Sequence, residues 1–230
     1  MRGDRREIVG EGINMNVRLI AHTPEPDFIA GRAAAICVDG NIHDREACGK
    51  ALRGALASGH ESVVEHNAFT FLIEDVSRVL LAQLTRHRMA SFSVESQRYC
   101  GAAMEMVIPD KMVHHALADD IIDLRRRTKA LYAKAVSLGV PEEDARYFTL
   151  QGGVTKLVLT MNARELRHFF SLRCCNRAQW EIRELADMML EQCREAAPQI
   201  FAKAGCACMR GKPCPEGKRS CGNPRKEGKA

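Results

Sequence analysis

The sequence predicts an α+β fold: one domain in which a small, mostly antiparallel sheet is packed by helices. Three observations carry this. Short stretches with strand composition occur at 16–23, 69–74 and 154–161. Longer stretches with helical periodicity and recognisable caps lie between and after them. No internal repeat is visible, and no linker divides the chain before residue 200.

Asn16 to Thr23 alternates as a first strand and stops before Pro24 and Pro26. Asp27 to Ile36 and Asp44 to Ser58 read as helices, the second closed by Gly59. Phe69-Thr70-Phe71-Leu72-Ile73-Glu74 is a strand by its branched and aromatic content. Ser77 is placed to cap a helix carrying Leu80, Leu81 and Leu84. Beyond Pro109, the apolar residues Leu117, Ile121, Leu124, Leu131, Ala135 and Leu138 recur at steps of three and four, Thr128 filling the gap, so a long amphipathic helix ends at Gly139. Pro141 opens a short helix with acidic residues in its first turn, running to Arg146. Val154 to Met161 is a strand. Asn162 caps a helix reaching Arg173, and Ile182, Leu185, Met189, Cys193 and Ala196 mark the last long helix.

At 230 residues the chain is long enough for a substantial core. No apolar run approaches the roughly 20 residues that span a bilayer. Residues 1–15 lack the apolar middle of a secretory signal and read as a disordered extension, with Met15 a candidate start of the folded part. A cytoplasmic protein is expected. The formal net charge of +5 is unevenly placed: residues 202–230 hold eight Lys or Arg against two Asp or Glu, a surplus of six that leaves −1 for the rest. A near-neutral body argues for small-ligand sites over a duplex footprint, and no nucleic-acid or membrane partner is expected. Cys37, Cys48, Cys100, Cys174, Cys175 and Cys193 are scattered without paired spacing, as reduced thiols of a cytosolic protein are.

The densest chemistry lies in Arg86-His87-Arg88-Met89-Ala90-Ser91-Phe92-Ser93-Val94-Glu95-Ser96-Gln97-Arg98-Tyr99, directly after an apolar run. Arginine forks and hydroxyls ending an apolar element suit a phosphate or a planar polar ring. A solvated basic helix end accounts for one or two of the arginines but not for the ordered return to Ser96 and Arg98. There is no G-x-G-x-x-G and no Walker A pattern.

Arg-His-Arg, seven residues, Ser, one residue, Arg resembles the signature of the flavin-dependent thymidylate synthases. Gly59-His60-Glu61-Ser62 with Glu65-His66 and Phe69-Thr70-Phe71 resembles the family's upstream segment. Ala145-Arg146, Asn162 to Leu166, Phe170 to Arg173 and Ala178 to Ile182 follow in the family's order, so that the resemblance covers roughly residues 16 to 200. It implies a synthase domain at 16–201, a homotetramer with active sites between subunits, and reductive methylation of dUMP to dTMP. FAD is the implied cofactor, with 5,10-methylenetetrahydrofolate and NADPH or NADH as co-substrates.

Methylating uracil at carbon 5 needs an electron-rich ring, which a fixed cation beside a deprotonated N3 supplies. By resemblance Arg173 is that catalytic cation. The resemblance implies dUMP contacts from Gln83, Arg86, Ser96, Gln97, Arg98, Arg146 and Arg173, and FAD contacts from Ser62, Arg86, His87, Arg88, Asn162, Ala163, Arg164 and His168, with His60 and Glu65 shaping the same pocket. Ser96 lacks any recognisable triad partner and reads as a binding residue rather than a nucleophile. The chain departs from the family where many members carry Asn-Glu, for Ser93-Val94 stand there and Val94 offers only backbone contact. His168 stands where some members have Asn, and either donates.

No metal is expected. The weaker alternative is zinc on Cys206, Cys208, Cys214 and Cys221, which offer four thiolates at gaps that do not match paired C-x-x-C. The Gly, Lys and Pro content of 202–230 reads instead as a flexible basic tail. Two other functions stay open on the residues alone: a nucleic-acid-binding protein using the Arg-His-Arg cluster and tail, and a flavoenzyme acting on another pyrimidine nucleotide. No cysteine is expected to add to the substrate ring; Cys100 and Cys174, beside the implied site, are the residues to weigh.

Overall fold

The computed structural model describes residues 14–100, 105–113 and 117–226. Most of the extension expected at 1–15 lies outside the described residues, as does the tail from 227. Strands β1 (Asn16–His22), β2 (Ala68–Ser77), β3 (Ala90–Val94) and β4 (Val154–Asn162) form one small antiparallel sheet in the order β1-β2-β4-β3. The helices are α1 (Pro26–Ile36), α2 (Arg45–Ala57), α3 (Arg78–Leu84), α4 (Asp110–Val113), α5 (Ala118–Ser137), α6 (Glu142–Ala145), α7 (Ala163–Arg173), α8 (Trp180–Ala196) and α9 (Pro198–Phe201). The α+β class is as expected from the sequence.

The caps explain where elements begin. The Asp44 carboxylate accepts from the amides of Glu46 at 2.8 Å and Ala47 at 3.4 Å, opening α2. Ser77 Oγ accepts from Leu80 at 3.0 Å and starts α3. Asn162 Oδ1 accepts from Glu165 at 2.9 Å and starts α7. In β2 the buried series Phe69, Phe71, Ile73 gives way to Val76 and Ser77. The shift occurs at Asp75, whose φ of 59° lets an extra residue into the strand and carries it past the expected end at Glu74. β3 was not expected: its serines are exposed, its apolar residues half-buried, and it lies at the sheet edge, so non-local pairing rather than local composition makes it a strand. Arg86 to Arg88 therefore lie in the connection between α3 and β3, not on a helix.

The described residues divide into two compact units, one formed by 14–16, 73–83 and 93–157, the other by 17–72, 84–92 and 158–226. In the first, α5 has the expected periodicity, yet Thr128 is its one buried residue among those described, and Leu124 and Leu131 stay 50% and 47% exposed. In the second, Phe69, Phe170 and Phe201 meet edge to face, with Phe201 centroids 5.3 and 5.9 Å from the other two. The segment after Phe201 differs from a solvated tail. Ala204, Cys206 and Met209 are buried, and the Arg225 guanidinium reaches Asp187 of α8 at 2.7 Å and the Cys174 carbonyl at 2.8 Å. Apolar side chains within this Gly- and Lys-rich stretch hold it down, while residues 211–224 are exposed.

α1 and α2 touch through Gly31, where an added Cβ would stand 2.8 Å from the Cys48 carbonyl oxygen. Gly54 faces open space on α2. Gly31→Ala should therefore destabilise by roughly 1–3 kcal/mol, and Gly54→Ala should stabilise by up to about 1 kcal/mol. Denaturant unfolding of the pair checks this; equal effects would contradict the close crossing.

Candidate functional site

The second unit turns on His87. Its amide donates to the Leu84 carbonyl at 3.1 Å, ending α3 and turning the ring onto one face of α7. Glu165, Phe169 and Arg173 occupy successive turns of that face. His87 Nδ1 lies 2.9 Å from Glu165 Oε1, its ring centroid 5.0 Å from that of Phe169, and Arg173 Nε donates to His87 Nε2 at 3.2 Å. A guanidinium nitrogen can only donate, so Nε2 is the acceptor and the proton sits on Nδ1, donating to Glu165. The imidazole is 5% exposed, and burial, opposed by the Glu165 hydrogen bond, holds it below the ordinary histidine range. It is neutral at pH 7. Burial, and then Arg86, lower the Arg173 pKa as well, and its two terminal nitrogens carry no hydrogen bond among the described residues.

Beside this chain of contacts a cleft of about 360 Å³ is lined by Glu61, Glu65, Met89, Asn162, Arg164, Glu165 and His168. Arg164 is paired with Glu65, which raises its pKa, and Arg167 donates to Glu61 through two nitrogens, at 2.9 and 3.2 Å. Ser62 is exposed on the turn Glu61–Val64, and the exposed His60 precedes it. Arg86 and Arg88 are exposed, and Ala163 is buried, its amide donating to the Asn67 carbonyl at 2.8 Å. The implied FAD residues are thus all found in this unit. Arg164 and His168, donors of positive or switchable charge on a cleft that also offers acceptors, fit a flavin bearing a diphosphate. A metal fits less well: His87, Glu165 and His168 place ligand atoms within 4.8 Å, but Glu165 and Arg173 already hold both ring nitrogens of His87. A second hollow, about 320 Å³, runs along α8 from Trp180 to Glu191 and contains none of the expected residues.

The implied dUMP residues divide. Arg86 and Arg173 belong to the second unit; Gln83, Ser96, Gln97, Arg98 and Arg146 belong to the first. There, Ser96 Oγ accepts from the Arg98 amide at 3.2 Å and shapes the turn through Gln97. Arg98 lies 2.7 Å from the Glu143 carboxylate, and Arg146 Nε donates to the Glu143 carbonyl at 2.9 Å, so one residue of α6 gathers two arginines. Gln83 is half-buried on α3.

Sequence reasoning missed Glu165, Glu143 and Asn67. Glu165 sits where a capping-box acid belongs, which hid its contact with His87, 78 positions away. Asn67, fully buried, has a side-chain amide without a partner among the described residues. No local signal marks any of the three. Cys206 and Cys208 bring their sulfurs to 3.4 Å, but among the described residues the four tail cysteines do not converge to coordination distance, because Cys214 and Cys221 are on the exposed stretch.

The family model described as thymidylate synthase complementing protein matches residues 18–199. The flavin-dependent thymidylate synthase of Nitratidesulfovibrio vulgaris is 44% identical over 230 residues, covering 90% of this chain and 94% of that protein. That of Geobacter sulfurreducens is 42% identical over 219 residues, with the same coverage, 90% and 94%. That of Pyrococcus furiosus is 44% identical over 177 residues, 73% of this chain and 72% of the other. Among solved structures, the UMP/dUMP methylase PolB from Streptomyces cacaoi, bound with 5-Br dUMP, has a TM-score of 0.75 at 24% identity, over 82% of this chain and 93% of that one, and shows the shared fold. With the family model spanning residues 18–199 and relatives above 40% identity along 90% of its length, the chain belongs to the thymidylate synthase complementing proteins, the flavin-dependent thymidylate synthases.

Proposed function

We infer that Arg173, aimed by His87, is the catalytic cation of this flavin-dependent thymidylate synthase. The enzyme methylates dUMP to dTMP, with 5,10-methylenetetrahydrofolate as one-carbon donor and NAD(P)H as reductant. Bound FAD supplies the hydride that turns the one-carbon unit into a methyl group. The observation that carries the reading is the Arg173 Nε to His87 Nε2 contact at 3.2 Å. Fixing Nε leaves the two terminal nitrogens as a planar fork for the uracil edge, where their charge stabilises the ring deprotonated at N3 and enriches carbon 5.

The other expected residues take binding roles. Arg98 and Arg146, gathered by Glu143 with Ser96 and Gln97 beside them, receive the nucleotide phosphate, which competes with the exposed Glu143 carboxylate for Arg98. Gln83 and Arg86 complete the nucleotide contacts. Ser62, Arg86, Arg88, Asn162, Arg164 and His168 hold FAD through hydroxyl, guanidinium, amide and imidazole groups, while His87 and Ala163, whose ring nitrogens and amide are taken by Glu165, Arg173 and Asn67, back the site. No cysteine adds to the ring: Cys174 is fully buried and burial pushes its thiol far up, and the Arg173 fork activates carbon 5 without a nucleophile. The protein is placed in the cytoplasm, in keeping with its ten free thiols. Among the described residues no helix is long and apolar enough to cross a membrane.

The assembly is a homotetramer with sites formed where subunits meet. The cleft, about 360 Å³, is at the small end for a drug-sized ligand, and FAD is larger. The apolar stripe of α5 supplies a face for a second copy, with Leu117, Leu124 and Leu131 each more than 40% exposed.

Arg173→Lys keeps the charge but loses the fork. With FAD loaded, dUMP should still perturb the flavin absorbance while dTMP formation falls by about 10²–10³. Near wild-type turnover would remove Arg173 from the catalytic role.

Protonating His87 abolishes the acceptor at Nε2 and sets a second cation against Arg173. His87 titrates below its ordinary value of about 6.5, so activity is whole above that value and lost as pH falls through the lower, folded-state pKa. Glu165 raises the His87 pKa. Glu165→Gln should therefore move the acid limb of kcat to lower pH, and lower kcat because an amide can reverse the tautomer. A pH profile coincident with wild type would contradict the coupling.

Leu124→Glu with Leu131→Glu should break the assembly, and flavin should leave with it by mass action. Light scattering and flavin absorbance measured together check this; a monomer holding full flavin would overturn the shared site.

A further inference from the structure

The function above leaves the cysteines of the C-terminal segment unused. Cys206 and Cys208 are separated by one residue at the entry to the turn Cys208–Arg210, and their sulfurs stand 3.4 Å apart. Formation of a disulfide needs an approach to about 2.05 Å, a small movement for two side chains on one short loop. The two thiols are not equivalent. Cys206 is 2% exposed, whereas Cys208 is half-buried and open to solvent on one side. Burial pushes the Cys206 thiol up to about 11. Burial acts the same way on Cys208 but is outweighed there by the Cys206 contact and by the backbone amides of Arg225, Met209 and Cys208 itself, so this thiol titrates below its ordinary value. One accessible, amide-stabilised sulfur against one shielded partner is the asymmetry of an attacking and a resolving thiol.

We propose that Cys206 and Cys208 form a thiol–disulfide exchange site that takes low-molecular-weight disulfides, with Cys208 the attacking thiolate and Cys206 the resolving thiol. Cys208 S⁻ attacks one sulfur of R–S–S–R, forming a Cys208–S–S–R bond and releasing RS⁻. Cys206 then loses its proton to solvent, and its sulfur attacks that of Cys208, breaking the mixed disulfide and releasing a second RS⁻. Two protein thiols are oxidised by two electrons, and one small disulfide is reduced to two thiols. The pair is tied to the active helix: the Arg225 amide donates to Cys208, while its guanidinium holds the Cys174 carbonyl just past the end of α7 at 2.8 Å.

The reduced, FAD-loaded protein is exposed to oxidised glutathione, free thiols are then alkylated under denaturing conditions, and the trypsin peptide 204–210, released at Lys203 and Arg210, is weighed. The expected product is this peptide unalkylated and lighter by two hydrogens. Cys206→Ser should trap glutathione on Cys208 at the wild-type rate, and Cys208→Ser should slow modification of residue 206 by about tenfold or more. Both variants change one sulfur to oxygen, and retained flavin absorbance reports that they are folded. Alkylation of both thiols while the exposed Cys37 is glutathionylated would overturn the proposal. So would a stable glutathione adduct on Cys208 of the wild type, or zinc bound stoichiometrically by the two thiols of the purified protein.

Discussion

The contact between His87 Nε2 and Arg173 Nε is possible in only one protonation state of the imidazole. A neutral ring with its proton on Nδ1 accepts the guanidinium hydrogen; the other tautomer or the cation would face donor with donor. Glu165 selects the productive state by taking the Nδ1 proton as a hydrogen bond at 2.9 Å, and Phe169 walls the ring from water. All three partners project from successive turns of α7, so the alignment depends on one helix and on the Asn162 cap that sets where its first turn begins. Under the proposed function, His87 decides how the Arg173 fork is presented to the nucleotide.

In each unit, arginines are held by carboxylates. Arg164 is paired with Glu65, Arg167 with Glu61 and Arg98 with Glu143. The first and third pairs are exposed at both ends, where such contacts contribute little, roughly 0–1 kcal/mol. They keep cationic side chains ordered at small energetic cost. Arg167 is different: half-buried and doubly bonded to Glu61, it fastens α7 to the turn that carries Ser62.

Much of this was legible in the chain. The strand at Phe69 to Glu74, the caps Asp44, Ser77 and Asn162, and the Arg-His-Arg cluster all follow from composition and local spacing. What escaped depends on contacts distant in sequence. β3 is a strand through its place at the sheet edge. Glu165 carries the signal of a capping acid whichever residue its carboxylate reaches. Asp75 extends β2 by adopting a left-handed φ that asparagine or glycine would have advertised more openly. The segment after Phe201 has the composition of a solvated tail, but Ala204, Cys206 and Met209 are buried. The α5 stripe was read correctly as helical, yet the pattern alone does not say what covers it.

Nitrogen-15 NMR of the histidine side chains, with the His87 signals assigned by their loss in a His87→Gln variant, observes the central contact directly. At pH 7.5 the account predicts a neutral His87 ring with Nδ1 protonated and Nε2 bare. An imidazolium, or a ring protonated at Nε2, would contradict it, because neither can accept from Arg173.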